Sequence, residues 1–128
     1  SSDVCSSDLR KRREYAVLMN YTPTAGVIEA ARRAVQWIAD GKAGDGFTAV
    51  GRRRAVDLAA GKPVSSDIVR RMAAYFARHE VDKQATGFHA GEPGYPTPGR
   101  VAWDAWGGDA GKTFAETIIR HEEQNGSV

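Results

Sequence analysis

One apolar stripe near the start of the chain constrains the fold more than any other feature. After Val27, apolar side chains recur three, four, seven, eight and eleven positions along, which is the spacing of one face of an α-helix. Thr24 is placed to cap such a helix and Gly41 to end it. The stripe therefore predicts an amphipathic helix from Thr24 to Asp40. Its members are Val27, Ala30, Ala31, Ala34, Val35 and Ile38.

Caps, glycines and prolines predict four further helices. The second spans residues 49–60 and the third residues 65–79; the fourth begins at Thr97-Pro98 and the last covers about residues 109–123. The inner residues expected for the second helix are Val50, Ala55, Leu58 and Ala59, and those for the third are Ile68, Met72, Tyr75, Phe76 and His79. No segment alternates apolar and polar residues over the length of a strand.

The predicted fold class is all-α. We expect a single small domain of about five helices, two of them short, over residues 19–123, because 128 residues suffice for one domain only. A long loop rich in glycine and proline at residues 80–97 separates the third helix from the fourth. Residues 124–128 are expected to form a tail, and no apolar run is long enough to span a membrane.

Residues 1–9 do not resemble a natural protein segment. SSDVCSSDL, residues 1–9, lacks the basic start and apolar stretch of a secretory signal. It resembles a translated sequencing adapter, a contaminant of metagenomic assemblies. We therefore assign residues 1–18, with Cys5, to an artefactual and disordered leader. Either Met19 is the true start, or the chain is a fragment of a larger protein.

Removing this leader changes the charge balance of the chain. Residues 1–18 hold four basic and three acidic residues, so their removal lowers the formal net charge from +2 to +1. A general excess of positive charge is then no longer an argument for an acidic partner.

Two sequence patterns resemble functional motifs but do not meet the requirements of those motifs. WGGDAGKT, residues 106–113, resembles a phosphate-binding loop, but that motif needs a glycine where Trp106 stands. A tight turn at Gly107-Gly108 with Asp109 capping the last helix is the simpler prediction. His79, Glu80, Asp82 and His89 match no zinc-ligand spacing, and no nucleophile stands near them. The sequence thus predicts no catalytic residue, no metal ligand and no cofactor.

An enzyme centred on His79 and Asp82 stays open as an alternative. It requires a concave pocket between the loop at residues 80–97 and the helix that carries Trp103 and Trp106.

Arginines on the second and third helices are candidate binding residues. Guanidinium groups suit bidentate contact with phosphate or carboxylate, so an exposed face shared by these arginines would be a nucleic-acid footprint. The residues are Arg53, Arg54, Arg70 and Arg71, with Arg52 and Arg78 beside them. The alternative is internal pairing with carboxylates, including Asp57 and Asp104, on ordinary solvated faces.

Trp103 and Trp106 stand three positions apart on the fourth helix and so point to a similar side. We expect them to anchor the core against Phe76 and Phe114. Partial exposure of one ring would instead mark a binding surface.

Two strings together carry a resemblance to a known family. RRMAAYFARHEVDK (70–83) and YPTPGRVAWDAWGGDAGKTFA (95–115) resemble a small helical domain of tailed bacteriophages, over about residues 23–120. That domain occurs in short phage reading frames or beside head-maturation protease genes. Lys112 departs from the residues that the family often carries there. The matched positions are Met72, Phe76, Arg78, His79, Asp82, Pro98, Gly99, Trp103, Trp106, Gly107, Gly108 and Gly111.

The resemblance implies a biological setting and no chemistry. It predicts a non-enzymatic phage accessory protein, either a binding module or a virion-assembly module, located in the host cytoplasm or in the virion. Its expected partners are phage head or protease proteins, with no membrane partner. The alternative is a nucleic-acid-binding helical domain that uses the arginine clusters. The candidate binding residues are Arg53, Arg54, Arg70, Arg71, Arg78, His79, Asp82, Trp103 and Trp106.

Overall fold

Helices make up most of the computed structural model, which describes residues 20–126. Its five α-helices confirm the all-α prediction, and none of these helices is long and apolar enough to cross a membrane. A 3₁₀ helix, Glu80–Gln84, follows the third helix. The α-helices are α1 (Ala25–Ala39), α2 (Ala49–Ala59), α3 (Ser66–His79), α4 (Pro98–Ala105) and α5 (Gly108–Gly126).

Two short strands, β1 (Asn20–Tyr21) and β2 (Val64–Ser65), pair in antiparallel fashion. The sequence did not predict them. The tail expected at residues 124–128 is also partly wrong, because α5 continues to Gly126. The leader at residues 1–18, Cys5, the alternative start at Met19 and residues 127–128 lie outside the described residues.

Side-chain caps fix the starts of three helices. Thr48 Oγ1 accepts a hydrogen bond from the Gly51 amide at the start of α2, and Ser65 Oγ accepts one from Ile68 at the start of α3. Thr97 does the same for Arg100, with Pro98 in the first turn of α4. These bonds satisfy amides that a helix start leaves free. Thr24 occupies the cap position of α1, but its side chain makes no capping bond.

The core is centred on Trp103, which is 1% exposed. Its ring contacts Phe76 edge-on at 4.7 Å between centroids and Phe88 at 6.0 Å, and Phe114 belongs to the same cluster. The expected packing of Trp103 and Trp106 into a core with Phe76 and Phe114 is therefore confirmed, with Trp106 only partly buried. Phe88 was not expected, since it comes from the loop at residues 80–97.

The inner face of α2 differs from the prediction. Val50 is 58% exposed, whereas Gly51, Arg54, Ala55 and Leu58 are buried. A Cβ added at Gly51 would lie 3.2 Å from the Phe47 ring, so the absence of a side chain lets this position face inward. The expectation that Val50 is an inner residue was wrong, because the buried stripe of α2 runs through Gly51.

The turn between α4 and α5 depends on glycine. Gly107 and Gly108 have φ angles of 109° and 65°, a region that residues with a Cβ rarely adopt. A Cβ at Gly111 would lie 2.6 Å from the carbonyl oxygen of Trp106. The predicted tight turn is confirmed, and it also needs the third glycine.

Asp109 does not cap α5, contrary to expectation, because the helix already begins at Gly108. Its carboxylate accepts a hydrogen bond from Trp103 Nε1 at 3.0 Å and pairs with Lys83 Nζ at 3.0 Å. Burial opposes its ionisation, but the bonds from Lys83 and Trp103 outweigh burial and hold the pKa of Asp109 below its usual value. Asp109 thus fixes the indole of Trp103 rather than the helix end.

Asp104 joins α1 to α4. The Nε atoms of Arg33 and Arg100 donate to its carboxylate at 3.1 and 3.3 Å. Arg100 also donates to the carbonyl of Phe88 at 2.9 Å, which ties the loop at residues 80–97 to the same point. The predicted pairing of Asp104 with arginine is therefore present.

Glu122 joins the start of the described chain to α3 and α5. It accepts hydrogen bonds from the Tyr21 hydroxyl at 2.5 Å, from Ser66 Oγ at 2.8 Å and from Arg70 Nη2 at 3.0 Å. Glu122 thereby holds β1 and the first turn of α3 against the end of α5.

Candidate functional site

An open groove of about 520 Å³ lies at the C-terminal end of α3. The start of α4 and the loop at residues 43–48 form its other sides. Gly44 allows this closure, because a Cβ there would lie 3.2 Å from the ring of Pro98. We call this cavity the α3 groove; the side chains of its walls that matter most are Phe47, Tyr75, Arg78, His79, Asp82 and Trp106.

The structure brings together four of the nine candidate binding residues. Arg78, His79, Asp82 and Trp106 come from α3, the 3₁₀ helix and the end of α4, and all line the α3 groove. Arg53 lies on the outer side of α2, and Trp103 is buried in the core. The remaining candidates, Arg54, Arg70 and Arg71, do not line this groove.

His79 and Asp82 form a polar pair at the groove wall. His79 Nδ1 lies 3.1 Å from Asp82 Oδ2, and the imidazole stacks on the Tyr75 ring at 4.5 Å between centroids. Gly99 brings the start of α4 close to Asp82, since a Cβ there would lie 3.5 Å from Asp82 Oδ2. The positive end of the α4 dipole favours a carboxylate at this place.

Tyr75 and Trp106 form an aromatic wall. Their rings stack at 5.0 Å with an angle of 12° between planes. Burial raises the pKa of Tyr75, and Asp82 and Asp104 raise it further, so its hydroxyl stays neutral. That hydroxyl is buried and has no hydrogen-bond partner within residues 20–126. Trp106 itself is only partly buried and also packs against the core.

Arg54 contradicts the expected arginine face. It is only 9% exposed, and its guanidinium lies 5.5 Å from the centre of the Trp106 ring. Burial lowers the pKa of Arg54, although Asp57 opposes this change. The indole compensates in part, because a cation over an aromatic face is attracted to it. Arg54 therefore supports Trp106 from inside the protein and is not part of an exposed footprint.

The other arginines divide into paired and unpaired groups. Arg53 pairs with Asp57 at 3.3 Å, and Arg70 pairs with Glu122 at 3.0 Å. Arg52, Arg71 and Arg78 are exposed and make no ion pair with any residue that the structure describes. The four clustered arginines thus do not share one free exposed face.

The enzyme alternative required a concave pocket beside His79 and Asp82. The α3 groove is such a pocket, but its walls differ from those expected. Of the loop at residues 80–97 only Asp82 lines this groove, and residues 43–48 form the opposite side. The Thr48 hydroxyl in the groove already accepts the capping bond of α2. Within residues 20–126, no group of three His, Cys, Asp or Glu side chains is placed to hold a metal ion.

Comparisons with known proteins do not add to this picture. No protein family matches the sequence, and no curated protein or solved structure shows significant similarity to it. Sequence reasoning missed two parts of the groove, Phe47 with its loop and the Tyr75 ring. The sequence pattern assigned Gly41 only to the end of the first helix and Tyr75 only to the inner face of the third helix.

Proposed function

We propose that this chain is a non-enzymatic binding module of tailed-phage assembly and that its α3 groove holds a segment of a partner protein. One observation carries the proposal. Six residues of the phage resemblance, from two segments at residues 78–82 and 98–106, line this one groove. They are Arg78, His79, Asp82, Pro98, Gly99 and Trp106.

The remaining residues of that resemblance have a structural role. Met72, Phe76 and Trp103 are buried in the core, and the three glycines form the turn before α5. Arg78 and His79 stand in the last turn of α3, where basic side chains complement the helix dipole, and His79 also contacts Asp82 and Tyr75. The exposed Arg78 guanidinium has no ion-pair partner among the described residues, so it is free for a contact outside the chain.

The charges of the groove favour a polypeptide partner. Arg78 and Asp45 are exposed at its edge, and neither forms an ion pair with another described residue. A polypeptide can present both a carboxylate and a cation to these two groups. The charged groups of a nucleic acid are its phosphates, which Asp45 and Asp82 would repel.

Co-purification tests this proposal. The tagged chain is produced with the head and head-maturation protease proteins of the phage that encodes it, and the retained partner is quantified. Arg78→Ala is expected to reduce retention about tenfold, because it removes a charge-assisted contact. Arg120→Ala, which removes an exposed arginine from α5, is the matched control and should change nothing. Absence of any retained head or protease protein would refute the proposal.

Nucleic-acid binding is a second candidate, favoured by the exposed and unpaired guanidinium groups of Arg52, Arg71 and Arg78. If these groups contact phosphates, the logarithm of affinity for duplex DNA should fall linearly with the logarithm of salt concentration. Arg71→Ala is expected to reduce that slope by about 0.9, the contribution of one phosphate contact. Fluorescence anisotropy over a salt series measures it. Undetectable or salt-independent binding would contradict this candidate.

A further inference from the structure

A second surface lies on the solvent side of α2. Ala49, Arg52, Arg53 and Val56 follow one another at helical spacing and line an open groove of about 680 Å³. Phe47 and Lys62 lie at its two ends. We call this surface the α2 outer face. The buried stripe of α2 passes through Gly51, Ala55 and Leu58, so the outer face is not used to build the core.

The α2 outer face carries an exposed apolar side chain that the packing of the fold does not require. Val56 on this face is 50% exposed; Val50, which does not line the groove, is 58% exposed on the same helix. Among residues 20–126 only one other large aliphatic side chain, Val81, is comparably exposed. Valine is also a weaker helix former than alanine. Neither packing nor helix propensity therefore accounts for these side chains.

The charge around this apolar centre is mainly positive. Arg52, Arg53 and Lys62 line the groove with a single carboxylate, Asp57. Asp57 is shared between Arg53 at 3.3 Å and Lys62 at 3.6 Å. Arg52 has no ion-pair partner in the part of the chain that the structure describes. The face thus offers three cations against one anion, and it complements a negatively charged partner.

We propose that the α2 outer face docks an acidic segment of a protein partner, with an apolar side chain seated on Val56 and carboxylates against Arg52 and Lys62. Apolar centres with polar rims are typical of protein interfaces. Cationic rims additionally select acidic partners and speed their association.

This site is separate from the α3 groove. Arg52, Val56 and Lys62 do not line that groove; Phe47 borders both surfaces. The inference therefore does not depend on what the α3 groove binds, and its test leaves Arg78 and His79 unchanged.

Binding of a defined peptide tests the inference. The probe is a fluorescein-labelled peptide of alternating glutamate and leucine, measured by anisotropy with the full chain. A polyglutamate peptide of equal length and a single-stranded DNA of similar charge are compared with it. We expect the glutamate–leucine peptide to bind most tightly, with an affinity that falls as salt is added.

Three variants locate the binding on α2. Arg52→Gln is expected to weaken the peptide about tenfold by removing a charge-assisted contact. Val56→Thr keeps the side-chain shape but makes it polar, and should weaken the peptide about threefold. Arg32→Gln removes an exposed arginine from α1 and serves as the control with unchanged affinity. Circular dichroism confirms that each variant folds.

Two outcomes would overturn the inference. Equal binding of polyglutamate together with no effect of Val56→Thr would show that the face senses charge alone. Tighter binding of the DNA would assign the same cations to a nucleic acid.

Discussion

Trp103→Ala is expected to lower the free energy of unfolding by about 4 kcal/mol, the middle of the range for removing a buried aromatic side chain. The indole fills the centre of the core against Phe76 and Phe88, so its removal leaves a cavity that helices on several sides cannot close. The change also leaves Asp109 without the hydrogen bond from the indole. Since small domains are stable by about 5–15 kcal/mol, a loss of this size removes a large share of the stability of the folded protein.

Urea denaturation followed by circular dichroism measures this loss. Trp37→Ala is the matched control, because Trp37 is only partly buried and contacts Tyr95 and Arg100 near the surface. It is expected to cost about 1 kcal/mol. Equal losses for the two tryptophans would contradict a core centred on Trp103.

Asp104→Ala is expected to destabilise the protein by about 3 kcal/mol. Asp104 is 1% exposed and accepts hydrogen bonds from both Arg33 and Arg100. Without it, the Arg100 guanidinium stays mostly buried among aromatic rings with only the Phe88 carbonyl as a polar partner. Leaving a buried charge uncompensated is costly even where the intact pair adds little.

Asp57→Ala is the control for this change. Asp57 also pairs with two cations, Arg53 and Lys62, but both of these are well exposed to solvent. Exposed pairs contribute about 0–1 kcal/mol, so the control should lose little stability in the same urea titration. A control as costly as Asp104→Ala would mean that burial does not set the effect.

The pH dependence of stability tests whether burial or the two arginines control the pKa of Asp104. Burial raises its pKa, and Arg100 and Arg33 offset only part of that rise. A carboxyl whose pKa is higher in the folded state binds its proton more tightly there. Its contribution to stability therefore falls as pH rises from about 4, the usual pKa of Asp, to the raised value.

Asp104→Asn does not titrate in this window and serves as the reference. Relative to this variant, the natural chain is expected to gain stability as pH is lowered through the window, measured by urea denaturation at a series of pH values. A relative loss of stability in acid would mean that the two arginines, and not burial, control the pKa of Asp104.

The helices could be predicted because their starts and ends carry local signals. Thr48, Ser65 and Thr97 stand at the cap positions that the structure uses, and the glycines and prolines end the periodic runs. The β1–β2 pair gives no such signal, since two residues per strand are too few to show alternation. Phe88 was missed for a related reason: a single buried side chain within a Gly/Pro-rich loop has no periodicity around it.

The α3 groove was predictable only in part. Arg78, His79, Asp82 and Trp106 were chosen as candidates, but nothing in the sequence shows that residues 43–48 close the groove above them. Arg54 shows the opposite difficulty. A long charged side chain on a helix is usually solvated. Arg54 is instead buried beside Trp106, a residue at the end of another helix that lies over fifty positions away in the sequence.

The attachment of Tyr21 and Glu122 to the first turn of α3 has a practical consequence. Both described ends of the chain are held near Ser65 and Ser66, whereas the α3 groove lies beyond His79 at the other end of the same helix. The fourteen residues of α3 separate the two places by about 20 Å. A fluorophore or surface tether attached to the exposed side chain of Asn20 or Glu123 should therefore leave the groove open.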